Sequence, residues 1–196
     1  MDVGKSFTYV FEDEKWISKI VIGGLISLVP IVNLAAWGYF LETLRRVAEG
    51  EKHPLPDWGE FGDFFVKGLV FFIAIFAYAL PAIFLGFCVA IFSAIAGDGR
   101  GAGGLFVIFT LPLACLIFFY ALALAVFWPA IAISYASSGQ FAGAFAWGWM
   151  YRLIRDNLGS YLVAVVMSWI AGIIASVGVI ACFIGVIFTN FWAYLV

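Results

Sequence analysis

The chain has 196 residues, 65% of them hydrophobic and 11% charged, with a net charge of −2. Soluble domains carry about a quarter charged residues, and no soluble core of this size could bury so much apolar surface. A water-soluble globule is therefore excluded, lipid is the expected solvent, and the absence of a basic patch leaves no case for nucleic acid as a partner.

The polar stretches are too short for a second domain, so a single helical membrane domain over 1–196 is expected. The first residues hold Glu12, Asp13, Glu14 and Lys15, unlike the basic start of a secretory signal. Phe7–Phe11 with Trp16 reads as a short amphipathic piece at the interface. The apolar run Trp16–Leu41 is interrupted by Val29-Pro30-Ile31-Val32-Asn33. It is expected to form two short halves, about Glu14 to Leu28 and Ile31 to Glu49, folded as a hairpin. One continuous span is the alternative. After Pro54-Leu55-Pro56, the segment Asp57–Phe65 reads as a second interfacial piece, with Asp57 as N-cap and Glu60 completing a capping box.

Gly68–Gly97, Gly101–Tyr151 and Asn157–Val196 carry no charge. Their apolar runs do not alternate as barrel strands would, so helices are expected. One span is placed at about Val66–Ala96 and the next at Leu105–Tyr135. Pro81, Pro112 and Pro129 should kink or break them. The glycine-rich stretch between the two is a turn, since no phosphate-binding lysine follows it. Phe141–Asn157 is a third interfacial piece. Leu158–Val196 is too long for one span and should break near Cys182-Phe183-Ile184-Gly185. The fold class is thus all-α, a polytopic bundle of five to six hydrophobic segments with short interfacial helices.

Basic residues favour the hairpin. With it, Lys5, Lys15, Lys19, Arg45, Arg46, Lys52, Lys67, Arg152 and Arg155 share one side and only Arg100 lies opposite. Cytoplasmic termini in a cell membrane follow as the expectation. A short internal echo sets Trp37 and Tyr39 against Trp192 and Tyr194.

Chemistry-bearing motifs are missing. His53 stands without metal-ligand partners at the usual spacing. Cys88, Cys115 and Cys182 read as buried small hydrophobes. No catalytic residue, metal or cofactor is expected, and an enzyme is disfavoured. Glu42 should pair locally with Arg45 and Arg46. The inner polar residues Asn33, Thr189 and Asn190 flank suspected helix breaks. They could bind a cation or polar ligand through freed carbonyls, or simply cap helices. Ala164, Ser168, Gly172 and Ser176 recur every four residues and form a small face for helix packing.

Several of these residues carry a resemblance. Trp37-Gly38-Tyr39, Leu44-Arg45-Arg46, Gly50, Pro54-Leu55-Pro56-Asp57-Trp58 and Gly68 resemble a bacterial and archaeal membrane family catalogued as domain of unknown function 4013. The N-terminal segment from Phe7 to Trp16, and the later one from Arg152 to Asn157 with Tyr161, fit the same pattern. The resemblance implies a multi-span membrane protein and supplies no activity. Two functions remain as expectations. One is a small homo-oligomeric pore or uncoupled transport protein. The other is a non-transporting subunit or scaffold, or a lipid-interacting protein, with membrane lipid or other subunits as partners.

Overall fold

The computed structural model describes residues 9–51, 53–96, 103–177, 191–193 and 195. After a 3-10 turn at Tyr9–Glu12 come α1 (Trp16–Leu28) and α2 (Leu34–Ala48). A second 3-10 turn at Trp58–Glu60 leads directly into α3 (Phe61–Ala96). Then follow α4 (Gly103–Ser138), a turn at Phe141–Phe145, α5 (Trp147–Asp156) and α6 (Leu158–Val177). The described regular structure is all helical. Three segments are long and apolar enough to cross a membrane: Trp58–Ala94, Ile108–Ser138 and Leu158–Ala175. The first apolar run is two helices, not one. Val29–Asn33 breaks it, and Ile31 there takes a positive φ of 72°.

Neither long helix is broken by proline. Helix α3 continues through Pro81, and α4 through Pro112 and Pro129. Each proline removes one helix hydrogen bond. In an apolar stretch the remaining backbone groups have no water to turn to, so the ladder persists. Just after Pro129, the Ala130 N–H donates to the Tyr161 hydroxyl of α6 at 3.3 Å.

The chain forms two compact units, Met1–Phe72 with Pro129–Val196, and Ile73–Trp128. Within the second, the Tyr120 hydroxyl donates to the Tyr78 carbonyl at 2.7 Å, and the Phe92 and Phe109 rings stack at 6.2 Å. Those pairings run in opposite sequence order, so its two helical segments are antiparallel. Phe84, Phe87, Phe118 and Phe119 are each more than 60% exposed. Side chains of that size facing outward suit lipid and not water.

The core lies in the first unit. Val10, Ile20, Ala35, Tyr39, Leu55, Phe64 and Phe191 are its buried residues, among others. Two glycines decide how closely its helices approach. A Cβ on Gly38 of α2 would overlap the Phe64 carbonyl of α3, and one on Gly68 of α3 would overlap the Leu34 carbonyl. The helices therefore meet backbone to backbone, an approach that only small residues allow.

Gly38→Ala and Gly68→Ala should each force α2 and α3 apart, at a cost of about 1–3 kcal/mol. Gly62 of α3 has open space around it, so Gly62→Ala should be neutral or better. Thermal unfolding of the detergent-solubilised variants measures the difference.

Candidate functional site: a charged and aromatic clasp

The hairpin, the Pro54–Trp58 loop and the start of α3 converge on two ion clusters joined by an aromatic stack. The first cluster centres on Lys19. It belongs to α1, yet it is only 7% exposed. Its Nζ donates to Asp13 Oδ2 at 2.8 Å and to the Leu55 carbonyl at 2.8 Å, and it lies 3.3 Å from Asp57 Oδ1. The three ammonium hydrogens thus have three oxygen partners. Asp13 also accepts from the Lys15 backbone N–H. Burial alone would push the Asp13 carboxyl up, but the hydrogen bonds from Lys19 and Lys15 and the Lys19 charge hold it below the usual range. The Trp58 indole N–H closes the loop onto the Lys19 carbonyl at 3.0 Å.

Asp57 departs from its expected role. It occupies the N-cap position before the Trp58–Glu60 turn, but its side chain makes no capping hydrogen bond. Lys19 engages the carboxylate instead. The interfacial piece at Asp57–Phe65 is likewise no separate helix, because the turn runs straight into α3.

The second cluster centres on Glu42, whose side chain is 4% exposed. Arg45 and Arg46 donate to Oε1 at 2.7 and 3.2 Å, as the i,i+3 and i,i+4 spacing predicts. A third cation was not legible in the local sequence: Lys67 of α3 donates to Oε2 at 2.9 Å. Burial raises the Glu42 pKa, but the bonds from Lys67, Arg45 and Arg46 outweigh it and hold the carboxyl down at about 2. Lys67 is the last charge before the uncharged length of α3. Its backbone carbonyl accepts from the Tyr135 hydroxyl of α4 at 3.1 Å.

Between the clusters stands Tyr39. Its ring stacks on Trp58 at 4.4 Å and 17°, and meets Phe64 and Phe191 at 5.6 and 5.5 Å. Such pairs contribute about 0.5–1.5 kcal/mol each beyond burial. The Tyr39 hydroxyl is buried without a hydrogen-bond partner among the described residues. Tyr9, from the first turn, donates its hydroxyl to the Leu195 carbonyl.

The expected polar membrane site is not assembled among the described residues. Asn33 is half-buried at the N-cap of α2 without a side-chain capping bond, and its carbonyl accepts from the Ala36 and Trp37 N–H groups. Thr189, Asn190 and the expected break near Cys182 lie outside the described residues. On α6, Ala164 is half-buried while Ser168 and Gly172 are exposed. Ser168 turns its hydroxyl to the Ala164 carbonyl of its own helix at 2.6 Å. Tyr161, Val165, Ala171 and Ala175 are the buried residues of α6 and lie on the same side of the helix as Ala164, Ser168 and Gly172. The Ser176 side chain is outside the described set. His53 is exposed, Cys88 is half-buried, and Cys115 is exposed where a buried position was expected. An apolar thiol on a lipid-facing helix needs no cover from protein.

Lys19→Met should cost about 3–5 kcal/mol, because it strands the buried Asp13 carboxylate. Asp57 is 77% exposed, so Asp57→Asn should change stability by less than about 1 kcal/mol. Glu42 has a lowered folded pKa. Its contribution is therefore complete above the ordinary carboxylate pKa of 4.5 and is lost as pH falls through about 2. Glu42→Gln should remove that part of the acid dependence in unfolding titrations. Tyr39→Phe should be neutral or stabilising, since it deletes an unpartnered buried hydroxyl. Tyr39→Ala should cost about 3–5 kcal/mol.

No curated protein and no solved structure matches the chain. A family described as "protein of unknown function (DUF4013)" matches residues 22–184. That interval contains Gly38, Tyr39, Glu42, Trp58, Lys67 and Gly68, the residues that lock α2 to α3. The chain belongs to the DUF4013 family.

Proposed function

We propose that this membrane protein is a non-transporting subunit or scaffold. One observation carries the reading. The charges of the clasp are turned onto one another, while the long helices present large apolar side chains outward. A carrier coupled to protons or sodium usually keeps ionisable groups at mid-membrane, and the uncharged lengths of α3, α4 and α6 supply none. The exposed Ser168 and Gly172 on α6 suit close approach by a neighbouring helix, either of a second copy or of another subunit. Lipid covers the remaining apolar surface, and the clasp faces the cytoplasmic side by the distribution of basic residues.

A second reading, an oligomeric pore or uncoupled transport protein, rests on Asn33. Its half-buried position beside a helix break is where a polar ligand could be held. The subunit reading predicts that protein extracted in mild detergent runs with other chains and gives no ion or solute flux in vesicles. Flux that is abolished by Asn33→Leu would establish the pore instead.

A further inference from the structure

We infer that the α1–α2 hairpin inserts into one leaflet only and returns, with the acyl chains of that leaflet as its partner. The argument begins with length. Lys19 on α1 and Glu42 on α2 are the charges nearest the turn. From Lys19 to Leu28 is about 14 Å of helix, and from Leu34 to Glu42 about 12 Å. The hydrocarbon of one leaflet is about 15 Å thick, half of the roughly 30 Å core. Each uncharged arm therefore matches a leaflet and falls far short of a bilayer. By contrast, the uncharged stretch of α3 from Gly68 to Ala96 is about 42 Å long.

Charge fixes the depth. Glu42 is bonded to Lys67 at 2.9 Å, and Lys67 is where the uncharged length of α3 begins. The base of the hairpin thus stands level with the membrane entry of α3. Deeper insertion would drag Glu42, its three cations and the Lys19 cluster into hydrocarbon, which is costly.

The tip fits lipid and not water. Leu25, Leu28, Val29 and Ile31 are 48–72% exposed, and Pro30 is exposed with them. A turn in lipid must satisfy its own backbone. Three of the turn's N–H groups do so, Val29 to the Ile26 carbonyl, Asn33 to the Val29 carbonyl and Leu34 to the Ile31 carbonyl, while those of Ile31 and Val32 have no backbone partner among the described residues. Pro30 has no N–H to satisfy. Near the tip, the Ser27 hydroxyl folds back onto the Gly23 carbonyl at 2.7 Å.

The test uses the full chain with Cys88, Cys115 and Cys182 changed to Ala, reconstituted in phosphatidylcholine vesicles. Ile31→Cys, Leu28→Cys and Glu49→Cys are made singly and treated with a membrane-impermeant maleimide from each side. Because all three positions are exposed, the variants should fold. Glu49→Cys should react from one side only. Ile31→Cys and Leu28→Cys should react from neither side until detergent is added. A fluorophore on Ile31→Cys should be quenched most by a nitroxide near the acyl terminus. Reaction of Ile31→Cys from the side opposite Glu49→Cys would mean that the hairpin crosses, and would overturn the proposal. Reaction from the same side at the rate of Glu49→Cys, or strongest quenching by a headgroup nitroxide, would mean that it lies in water or headgroups, and would equally overturn it.

Discussion

The first compact unit depends on one close approach, the backbone contact of α2 with α3 at Gly38 and Gly68. With any larger residue the helices would separate by the width of a side chain. At this distance, the next turn of α2 brings Glu42 onto Lys67, and the Tyr39 ring falls between Trp58 and Phe64. The Trp58 indole in turn reaches back to α1 through the Lys19 carbonyl. Dispersion and stacking, not hydrophobic exclusion from water, hold helices together inside lipid. A glycine crossing therefore has more leverage here than it would in a soluble core.

The charges present the opposite problem. Lys19, Asp13 and Glu42 are all nearly buried. Each buried ion loses several kcal/mol of hydration, and only a full set of partners offsets that loss. Lys19 has two carboxylates and a carbonyl around it. Glu42 has three cations, of which Arg45 and Lys67 keep much of their contact with solvent. That asymmetry matters, because a half-exposed cation retains hydration while it satisfies the buried anion. The clusters fix the register of hairpin, loop and α3 more specifically than apolar packing alone could.

Much of this fold is legible in the sequence, because the signals are long or local. Uncharged apolar runs long enough to cross a bilayer read as helices, because backbone in lipid must bond to itself. The Val29–Asn33 interruption marks the hairpin, and the Glu42–Arg45–Arg46 spacing gives its ion pair directly. What local reasoning misses is set by tertiary contact. Nothing near Lys19 in sequence shows that Leu55 and Asp57 will reach it, and a capping-box pattern at Asp57 and Glu60 points elsewhere. Lys67 stands twenty-five residues from Glu42. Pro81, Pro112 and Pro129 do not end their helices, because backbone groups freed in lipid have no water to turn to. The four-residue spacing on α6 gathers Ala164, Ser168 and Gly172 on one side of the helix. It does not tell which residues on that side are covered, and there Val165 and Ala171 are buried while Ser168 and Gly172 are exposed.

The family residues are thereby given a physical meaning without an activity. Gly38 and Gly68 set the distance, Tyr39 and Trp58 fill it, and Glu42 and Lys67 lock it. The most direct measurement is a double-mutant cycle on Glu42→Gln and Lys67→Met, read as unfolding free energy of the solubilised protein. If the α2–α3 lock is real, the two changes are coupled by about 0.5–3 kcal/mol, so that the second costs far less once the first is made. Strict additivity would contradict it, and would mean that the two residues do not meet across that crossing.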